Sequence, residues 1–377
     1  MKTVQLKKNG ANKWEYVGEN YQLKNPLVLV FGNRFALEDP NIYQEIKTLF
    51  PTGEIVFGST SGEIVGPNVY TDSVAITAIE FENSSYLISR ENISKNNLDS
   101  KIVGKKLISQ FPTEKLKHIF IVSDGSFVNG SELTEGFNES NTPKIGITGG
   151  LCGDGTRFEK TLASYNENPK EGEVVAIGLY GDTLEITSSI KGGWRPFGPE
   201  KIITKSKGNV LYEVDDVPVL DLYKTYLGKK AIDLPGSALL YPLKVTCEKD
   251  NRHVVRTILK LNEQDKTMTF AGNVPTGAKV QLMMTTVDNL ASAAETAAIN
   301  ALKNRINQPQ LALIVSCVGR KIVLDKMVEE EIEEVLRVID NKTVTSGFYS
   351  YGEIAPFHGE QNCKLHNQTM TLTLLSE

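Results

Sequence analysis

Three glycine-containing turns, each placed directly after an apolar segment, hold the side chains best suited to chemistry in this sequence. The first spans residues 56–64 and ends near Glu63, and a related turn at residues 347–354 ends near Glu353. The third, at residues 146–155, is the densest glycine run of the chain. Glycine lets backbone N–H groups approach a ligand closely, and a carboxylate binds amines or guanidinium groups. We therefore expect the three turns to line one or two pockets for a small charged molecule.

The glycine run that begins at Gly149 has two interpretations. It can cradle an anion or a carboxylate, or it can be a tight turn between two strands. It is not a P-loop, because no Gly-Lys-Ser/Thr follows, and a return to a strand near Leu162 excludes a dinucleotide fingerprint. An aspartyl-phosphate enzyme is also excluded, since Cys152 stands where a nucleophilic aspartate is required.

Glu63 and Glu353 occupy equivalent places in two of the turns. Each carboxylate can bind a ligand amine or guanidinium, or it can cap the backbone of a neighbouring loop. We expect a structural role for Glu63 and a ligand role for Glu353. Arg320, just after the third copy's first strand, is the cation best placed to meet an acidic group of the ligand.

Cys317, His366 and Glu353 define an enzymatic alternative. If they converge, they supply a thiol nucleophile, a base and an orienting acid. We expect His366 to lie in an alternating segment that opens the final strand, where His366 and Gln368 share a face and Asn367 lies opposite. A buried Cys317 that acts as a small hydrophobe is the favoured alternative, because free cysteine is among the most buried residue types.

A unit of a strand, a turn, a helix and a second strand recurs three times along the chain. This unit has to hold the glycine-containing turns in position. Its copies begin at the apolar runs of residues 27–31, 119–122 and 311–315, which are typical of strands buried on both faces. In each copy we expect the two strands to pair in parallel through a right-handed crossover, which gathers the turns at one sheet edge. The acidic run at residues 329–334 is expected to be the solvated face of the third copy's helix.

The remaining segments predict antiparallel strands and two longer helices, at residues 218–227 and 287–302. The fold class is therefore α+β (mixed α/β), with mixed sheets flanked by helices. A length of 377 residues exceeds one ordinary core and suggests two domains. We place these domains at residues 25–228 and 229–377, because a glycine and two lysines follow the first helix.

Composition excludes several classes of function. The net charge of -5 and the pI of about 5.6 indicate no general attraction to nucleic acid or to a membrane surface. No apolar run is long enough to span a bilayer, and residues 1–8 do not resemble a signal peptide, so we expect a cytoplasmic protein. The histidines and cysteines have no metal-ligand spacing. The cysteines expected to be reduced and buried are Cys152, Cys247, Cys317 and Cys363.

Several of these motifs, taken in order, resemble the FIST domain, a sensory module with an N-terminal and a C-terminal part. The resemblance runs from about residue 27 to the last residues of the chain. The motifs that carry it are residues 57–64, 123–125, 149–155 and 193–198 in the first part, and residues 316–320, 347–354 and 366–369 in the second.

The resemblance implies a ligand-sensing role in signal transduction. Members of the family are proposed to bind small molecules such as amino acids, and some bind haem and sense nitric oxide. They often accompany histidine kinases, cyclic-dinucleotide enzymes or chemotaxis components. This chain shows no output domain of these kinds, so we expect its signal to pass to a separate protein such as a histidine kinase or a cyclic-dinucleotide enzyme.

We therefore predict a small-ligand-binding sensory protein of bacterial signal transduction, without a catalytic function or a cofactor. A cysteine-dependent enzyme that uses Cys317 and His366, and a haem-based gas sensor, are the alternatives. The residues expected to contact the ligand are Ser59, Thr60, Gly62, Glu63, Asp124, Gly149, Gly150, Cys152, Asp154, Cys317, Arg320, Glu353, His366 and Asn367.

Overall fold

A computed structural model describes residues 1–10, 13–142, 144–234, 236–246 and 252–377. The prediction of a mixed α+β fold is confirmed, because the described residues form several sheets with helices packed on them. Cys247, which we expected to be reduced and buried, lies outside the described residues.

Two copies of the predicted unit occupy the first half of the chain. The elements of the first unit are β1 (Lys2–Asn9), β2 (Glu15–Val17), β3 (Leu27–Gly32), α1 (Arg34–Leu37), α2 (Ile42–Leu49), β4 (Glu54–Ser59), β5 (Glu63–Val65), β6 (Asn68–Tyr70) and β7 (Ser73–Glu80). Those of the second are β8 (Ser85–Asn92), α3 (Ser100–Ser109), β9 (Leu116–Ser123), α4 (Gly130–Ser140), β10 (Gly146–Leu151), β11 (Ala163–Tyr165) and β12 (Glu173–Tyr180).

The third unit is interrupted by a segment that we call the inserted module, residues 195–284. The unit begins with β13 (Glu185–Lys191), and the module then contributes β14 (Arg195–Lys207), β15 (Val210–Val214), β16 (Val217–Pro218), α5 (Val219–Leu227), β17 (Leu243–Thr246), β18 (His253–Arg256), β19 (Ile258–Asn262), β20 (Thr267–Phe270) and β21 (Lys279–Met284). The unit resumes with α6 (Val287–Leu302), β22 (Leu311–Cys317), α7 (Val318–Leu324), α8 (Glu330–Ile339), β23 (Val344–Ser350), β24 (Gly352–Pro356), β25 (Cys363–His366) and β26 (Met370–Ser376).

The three units share one topology. The predicted parallel pairing is confirmed for β3 with β4, β9 with β10, and β22 with β23. On the other side of the first strand, a returning strand pairs antiparallel: β7, β12 and β26 respectively. The strand that opens each unit, β1, β8 or β13, then pairs with that returning strand.

Each unit also lends a short strand to a neighbour, and the exchange is cyclic. β5 of the first unit pairs with β23 of the third, β24 of the third pairs with β10 of the second, and β11 of the second pairs with β4 of the first. All three of these pairings are antiparallel. Each six-stranded sheet is therefore built from strands of two units.

The three sheets turn one face toward a common core. Phe31, Val122 and Val315 lie at matching positions of β3, β9 and β22, and all three are buried in that core. The opposite faces are covered by α2 on the first sheet, by α3 and α4 on the second, and by α6 and α8 on the third. Burial on both faces explains why the first strand of each unit is continuously apolar.

The inserted module forms its own sheet, in the order β18-β17-β21-β14-β15-β20-β19, with β16 beside β15. Its core includes Leu220, Tyr223 and Phe270. The module is tied to the third unit, because Arg256 Nη1 donates a hydrogen bond of 3.0 Å to the carbonyl oxygen of Leu365. The domain boundary that we placed after residue 228 falls inside this module and remains a prediction.

Gly149 in β10 provides a test of how closely the parallel strands β9 and β10 of the second unit pack. Its φ is +143°, and a Cβ built on it lies 2.1 Å from the carbonyl oxygen of Ile121 on β9. We expect Gly149→Ala to lower the free energy of unfolding by about 2–4 kcal/mol, because the backbone is strained and the strands must separate. Urea denaturation measures this change. Gly236→Ala is the matched control, since a Cβ there meets nothing within 4 Å; equal losses in the two variants would contradict the packing argument.

Candidate functional site

The three turns predicted from the sequence meet at one place, where β4, β10 and β23 end. Equivalent residues are in mutual contact, because a Cβ on Gly153 lies within 3.3 Å of side-chain atoms of both Ser61 and Tyr351. Three backbone hydrogen bonds join the units in a closed circle, which we call the turn ring: Gly153 N to Ser59 O (2.9 Å), Tyr351 N to Leu151 O (3.0 Å) and Ser61 N to Tyr349 O (2.8 Å).

Glu63 and Glu353 bind hydroxyl groups of their own units in the same arrangement. The hydroxyl donors are Thr60 (2.5 Å) and Ser73 for Glu63, and Ser350 (2.6 Å) and Thr369 (2.7 Å) for Glu353. Both carboxyl groups are buried, and burial raises the pKa of each to about 7 against the opposing effect of the hydroxyls. Each group therefore holds its own turn in shape, and these contacts do not distinguish a ligand role for Glu353 from the structural role of Glu63.

Asp124 and Asp154 organise loops of the second unit. The donors to Asp124, at 2.6–3.2 Å, are the N–H groups of Ser126, Phe127 and Gly172 and the hydroxyl of Thr161. The donors to Asp154 are the N–H groups of Phe158, Glu159 and Lys160, the Arg34 guanidinium at 3.1 Å and the Tyr351 hydroxyl. Since a carboxylate has about four lone-pair sites, protein groups already occupy both side chains.

The glycine run is mostly strand and not an exposed cradle. Gly149 and Gly150 pair with β9 on one side and with β24 on the other. Cys152 is buried, which raises the pKa of its thiol, and Ser59 accepts a hydrogen bond of 2.8 Å from the backbone of a following loop. This geometry favours close packing between strands over an anion cradle, and Gly155 is the glycine of the run that reaches the cleft described below.

Arg320 is fully buried against Glu331, which corrects its expected role as a cation for the ligand. Its Nε donates to Glu331 Oε2 at 2.8 Å, and its Nη2 lies 2.6 Å from the same oxygen. The remaining bonds go to the carbonyl oxygens of Gly192 (2.5 Å) and Leu290 (3.0 Å). The expectation that the acidic run at residues 329–334 is a solvated helix face is therefore wrong for Glu331, which is buried.

The side chains of Cys317 and His366 are not hydrogen-bonded to each other in the described structure. Cys317 is buried opposite Ser350 in the β22–β23 register, and burial raises the pKa of its thiol. His366 Nε2 lies 3.1 Å from the carbonyl oxygen of Ala355, and burial lowers the pKa of the ring to about 3. A protonated thiol and a histidine bonded to the backbone do not form the nucleophile–base pair of the enzymatic alternative.

Asn367 and Gln368 lie in a turn, so the expectation that they open the final strand is wrong. β25 ends at His366, β26 begins at Met370, and Gln368 has a φ of +62°. Asn367 Nδ2 donates to the carbonyl oxygen of Tyr351 at 3.2 Å, which ties this turn to the turn ring. Local alternation of side chains cannot reveal a break at which the chain passes from one sheet to another.

An open cleft of about 540 Å³ adjoins the turn ring at the junction of the three units. Thr60, Gly62 and Glu63, which we predicted to bind the ligand, line its first wall. The other walls include Gly155 and Arg157 of the second unit and Lys321 of the third. The other residues that we predicted to contact the ligand lie in the sheets, in the loops and in the buried pair of Arg320 and Glu331 described above.

Lys321 is a partly buried cation that lines this cleft. Its Nζ donates hydrogen bonds to the carbonyl oxygen of Ser61 (2.7 Å) and to Thr71 Oγ1 (2.8 Å). A Cβ on Gly62 lies 2.6 Å from this Nζ, so the lysine can cross the turn because that residue is glycine. Desolvation lowers the pKa of Lys321, and the nearby Glu63 opposes that shift.

Sequence reasoning missed Lys321 and Glu331. Lys321 directly follows Arg320, and a helix that starts at Val318 places the two side chains in different directions. Such a helix boundary is the signal that could have identified the lysine. For Glu331 the available signal is its position among the apolar residues of an amphipathic helix, next to Ile332.

Side chains that commonly ligate a metal ion or haem iron are not gathered at the cleft in the described part of the chain. The described residues contain no cluster of three or more His, Cys, Asp or Glu side chains that could hold a metal ion. No histidine, cysteine or methionine is among the residues that line the cleft, and His118 and His366 are buried with ring nitrogens close to protein oxygens. Within the described ranges, no helix is long and apolar enough to cross a membrane.

Removal of Arg320 tests the buried ion pair. We expect Arg320→Met to lower the free energy of unfolding by about 3–5 kcal/mol, because it leaves the Glu331 charge buried without its counter-ion. Urea denaturation should show that the double variant Arg320→Met/Glu331→Leu recovers most of this loss. Lys326→Met is the control, since Lys326 is exposed; a similar stability for the two single variants would contradict the assignment.

The pH dependence of stability tests the buried carboxyl groups. With a pKa near 7 in the folded protein and 4.5 unfolded, each group stabilises the fold fully below pH 4.5 and loses that contribution as the pH rises toward 7. Relative to wild type, Glu63→Gln and Glu353→Gln should each gain about 3 kcal/mol between pH 4.5 and pH 8 in urea denaturation. Glu114→Gln, at an exposed site, should show no such gain. A pH-independent difference for both variants would contradict the burial argument.

Comparisons with known proteins agree with the resemblance inferred from the motifs. The FIST N domain family matches residues 26–217, and the FIST C domain family matches residues 220–356. The chain is also similar to Uncharacterized protein MJ1623 of Methanocaldococcus jannaschii, with 23% identity over 355 residues. That match covers 85% of this chain and 64% of the relative, so the chain spans less than two thirds of the relative's length. Because the two family matches follow one another and together span most of the sequence, the chain belongs to the FIST family.

Proposed function

We propose that the chain is a small-ligand-binding sensory protein of the cytoplasm that signals through a separate partner. FIST domains are associated with sensory roles in signal transduction. The observation that carries the proposal is the cleft beside the turn ring, where the partly buried Lys321 faces an open space of about 540 Å³. Residues of all three units line this cleft, so a bound molecule contacts each unit at once.

The charges of the cleft suit a small polar molecule such as an amino acid. Lys321 and Arg157 can meet a carboxylate, and Asp72 and Asp325 line the same space and can meet an amine. Ligand sites are concave and hold a few placed polar groups, and this cleft has both properties.

Helix α7 connects the cleft to the inserted module, which offers a route for the signal. Lys321 extends from α7 into the cleft, whereas Leu324 at the end of the helix packs in a small cluster with Trp194, Val255 and Met283. Because Val255 and Met283 belong to the inserted module, a ligand that shifts α7 changes the packing around Trp194. A partner that reads the inserted module can therefore sense occupancy of the cleft.

Thermal shift and fluorescence measurements test this proposal. A cleft ligand at a hundredfold excess over its dissociation constant should stabilise the protein by about 2.7 kcal/mol and raise its melting temperature. In a Trp14→Phe background, Trp194 is the remaining tryptophan, and the same ligand should change its emission. A panel of amino acids and other small metabolites is the appropriate set of probes.

Two variants test whether the ligand binds in the cleft or elsewhere on the surface. Ile322→Phe narrows the cleft and should abolish the thermal shift, whereas Ile299→Phe, at an exposed position of α6, should preserve it. If no compound of the panel shifts the melting temperature of the folded wild-type protein, the proposed function is contradicted.

A further inference from the structure

Among the described residues, protein oxygens accept hydrogen bonds from two of the three N–H groups of Lys321, whose Nζ also lies 5.6 Å from the centre of the Tyr349 ring. An ammonium carries three N–H donors, and two of them bind Ser61 O at 2.7 Å and Thr71 Oγ1 at 2.8 Å. In the part of the chain that the structure describes, no carboxylate oxygen lies within 4.0 Å of this Nζ. A partly buried cation without a close counter-ion is costly, so an anion that enters the cleft satisfies both the charge and the remaining donor.

The groups around Lys321 favour an anion of low charge. Glu63 and Asp72 are close enough to raise the pKa of Lys321, and Asp325 also lines the cleft. Asp72 is held in place by Asn33, whose Nδ2 donates to Oδ1 at 2.7 Å. These carboxyl groups repel a phosphate dianion, which proteins usually bind with several backbone N–H groups or with arginine forks. A monocarboxylate can be matched by one ammonium group.

An apolar wall completes the cleft beside this lysine. Ile322 and Val328 line the cleft and are partly exposed, and Val318 lies buried at its base. The other cation, Arg157, stays at the exposed rim, where it donates to Asp154 O at 2.9 Å and lies over the Phe35 ring. A hydrocarbon chain attached to the anion can therefore pack against apolar side chains of the cleft.

From these contacts we infer that the cleft recognises a short aliphatic monocarboxylate, with its carboxylate on Lys321 Nζ and its chain against Ile322 and Val328. The inference rests on the proposed function and names the class of ligand. The carboxylate can belong to a simple branched acid or to an aliphatic amino acid, since both present the same chemistry to the lysine.

Titration calorimetry on the full chain compares each acid with its neutral amide. The probes are sodium isovalerate against isovaleramide, and leucine against leucinamide. At least one acid should bind about tenfold or more tightly than its amide, because only the acid forms a hydrogen bond between two charged groups. Lys321→Met should remove this preference. Lys326→Met, an exposed lysine a few residues further along, should keep it.

The outcomes separate the two proposals. If neither acid binds more tightly than its amide, the ligand class is overturned, while the proposed function stands as long as a compound of the wider panel gives a thermal shift. If neither series binds and the wider metabolite panel gives no thermal shift, both are overturned. Preference for isovalerate indicates a simple acid, and preference for leucine indicates that the amine is also recognised; either result supports the inference. The comparison of acid and amide on the unchanged protein decides the matter even if Lys321→Met does not fold.

Discussion

The cyclic exchange of β5, β11 and β24 is the constraint on which the rest of the structure depends. Each exchanged strand follows a turn, so the exchange presses the turns together and produces the turn ring. A strand edge with unpaired backbone groups has to be paired or covered, and a unit that gives a strand away therefore needs one in return. A turn cannot move without breaking hydrogen bonds to another unit. The side chains of Glu63 and Glu353 therefore stay buried as long as the turn ring is closed.

The sequence was enough to predict the three units but not the exchange of strands between them. The reason is the distance along the chain over which each sequence signal acts. Burial on both faces and helical periodicity are local, so the apolar strands and the helix at Val287–Leu302 could be predicted within about three residues. The pairing of β5 with β23 joins segments that lie far apart in the chain, such as Ile64 and Gly347. Nothing in either segment specifies which sheet it will complete.

The same distinction explains the candidate site. We expected the three glycine turns to meet because parallel strands end at the same edge of a sheet; the turns do meet, but they follow strands of three different sheets. The side chains that face the cleft depend instead on contacts between units. Lys321 crosses Gly62 of the first unit, and Arg320, one residue earlier, is withdrawn into the third unit by Glu331. A charge pattern read along the chain cannot tell these two neighbours apart.

Under the proposed function, the division between the fixed turn ring and the adjacent helix α7 limits how a ligand can produce a signal. A ligand shifts an equilibrium only by the difference in its affinity for two arrangements, so the contact that binds it must also change between them. The turn ring is a poor candidate for such a change, because opening it exposes buried carboxyl groups and breaks backbone bonds of three units. Helix α7 touches the ring through Lys321 and Ser61 and packs on Trp194 through Leu324. An anion on Lys321 alters the first contact while the second remains connected to the inserted module, so affinity and signal can depend on the same lysine.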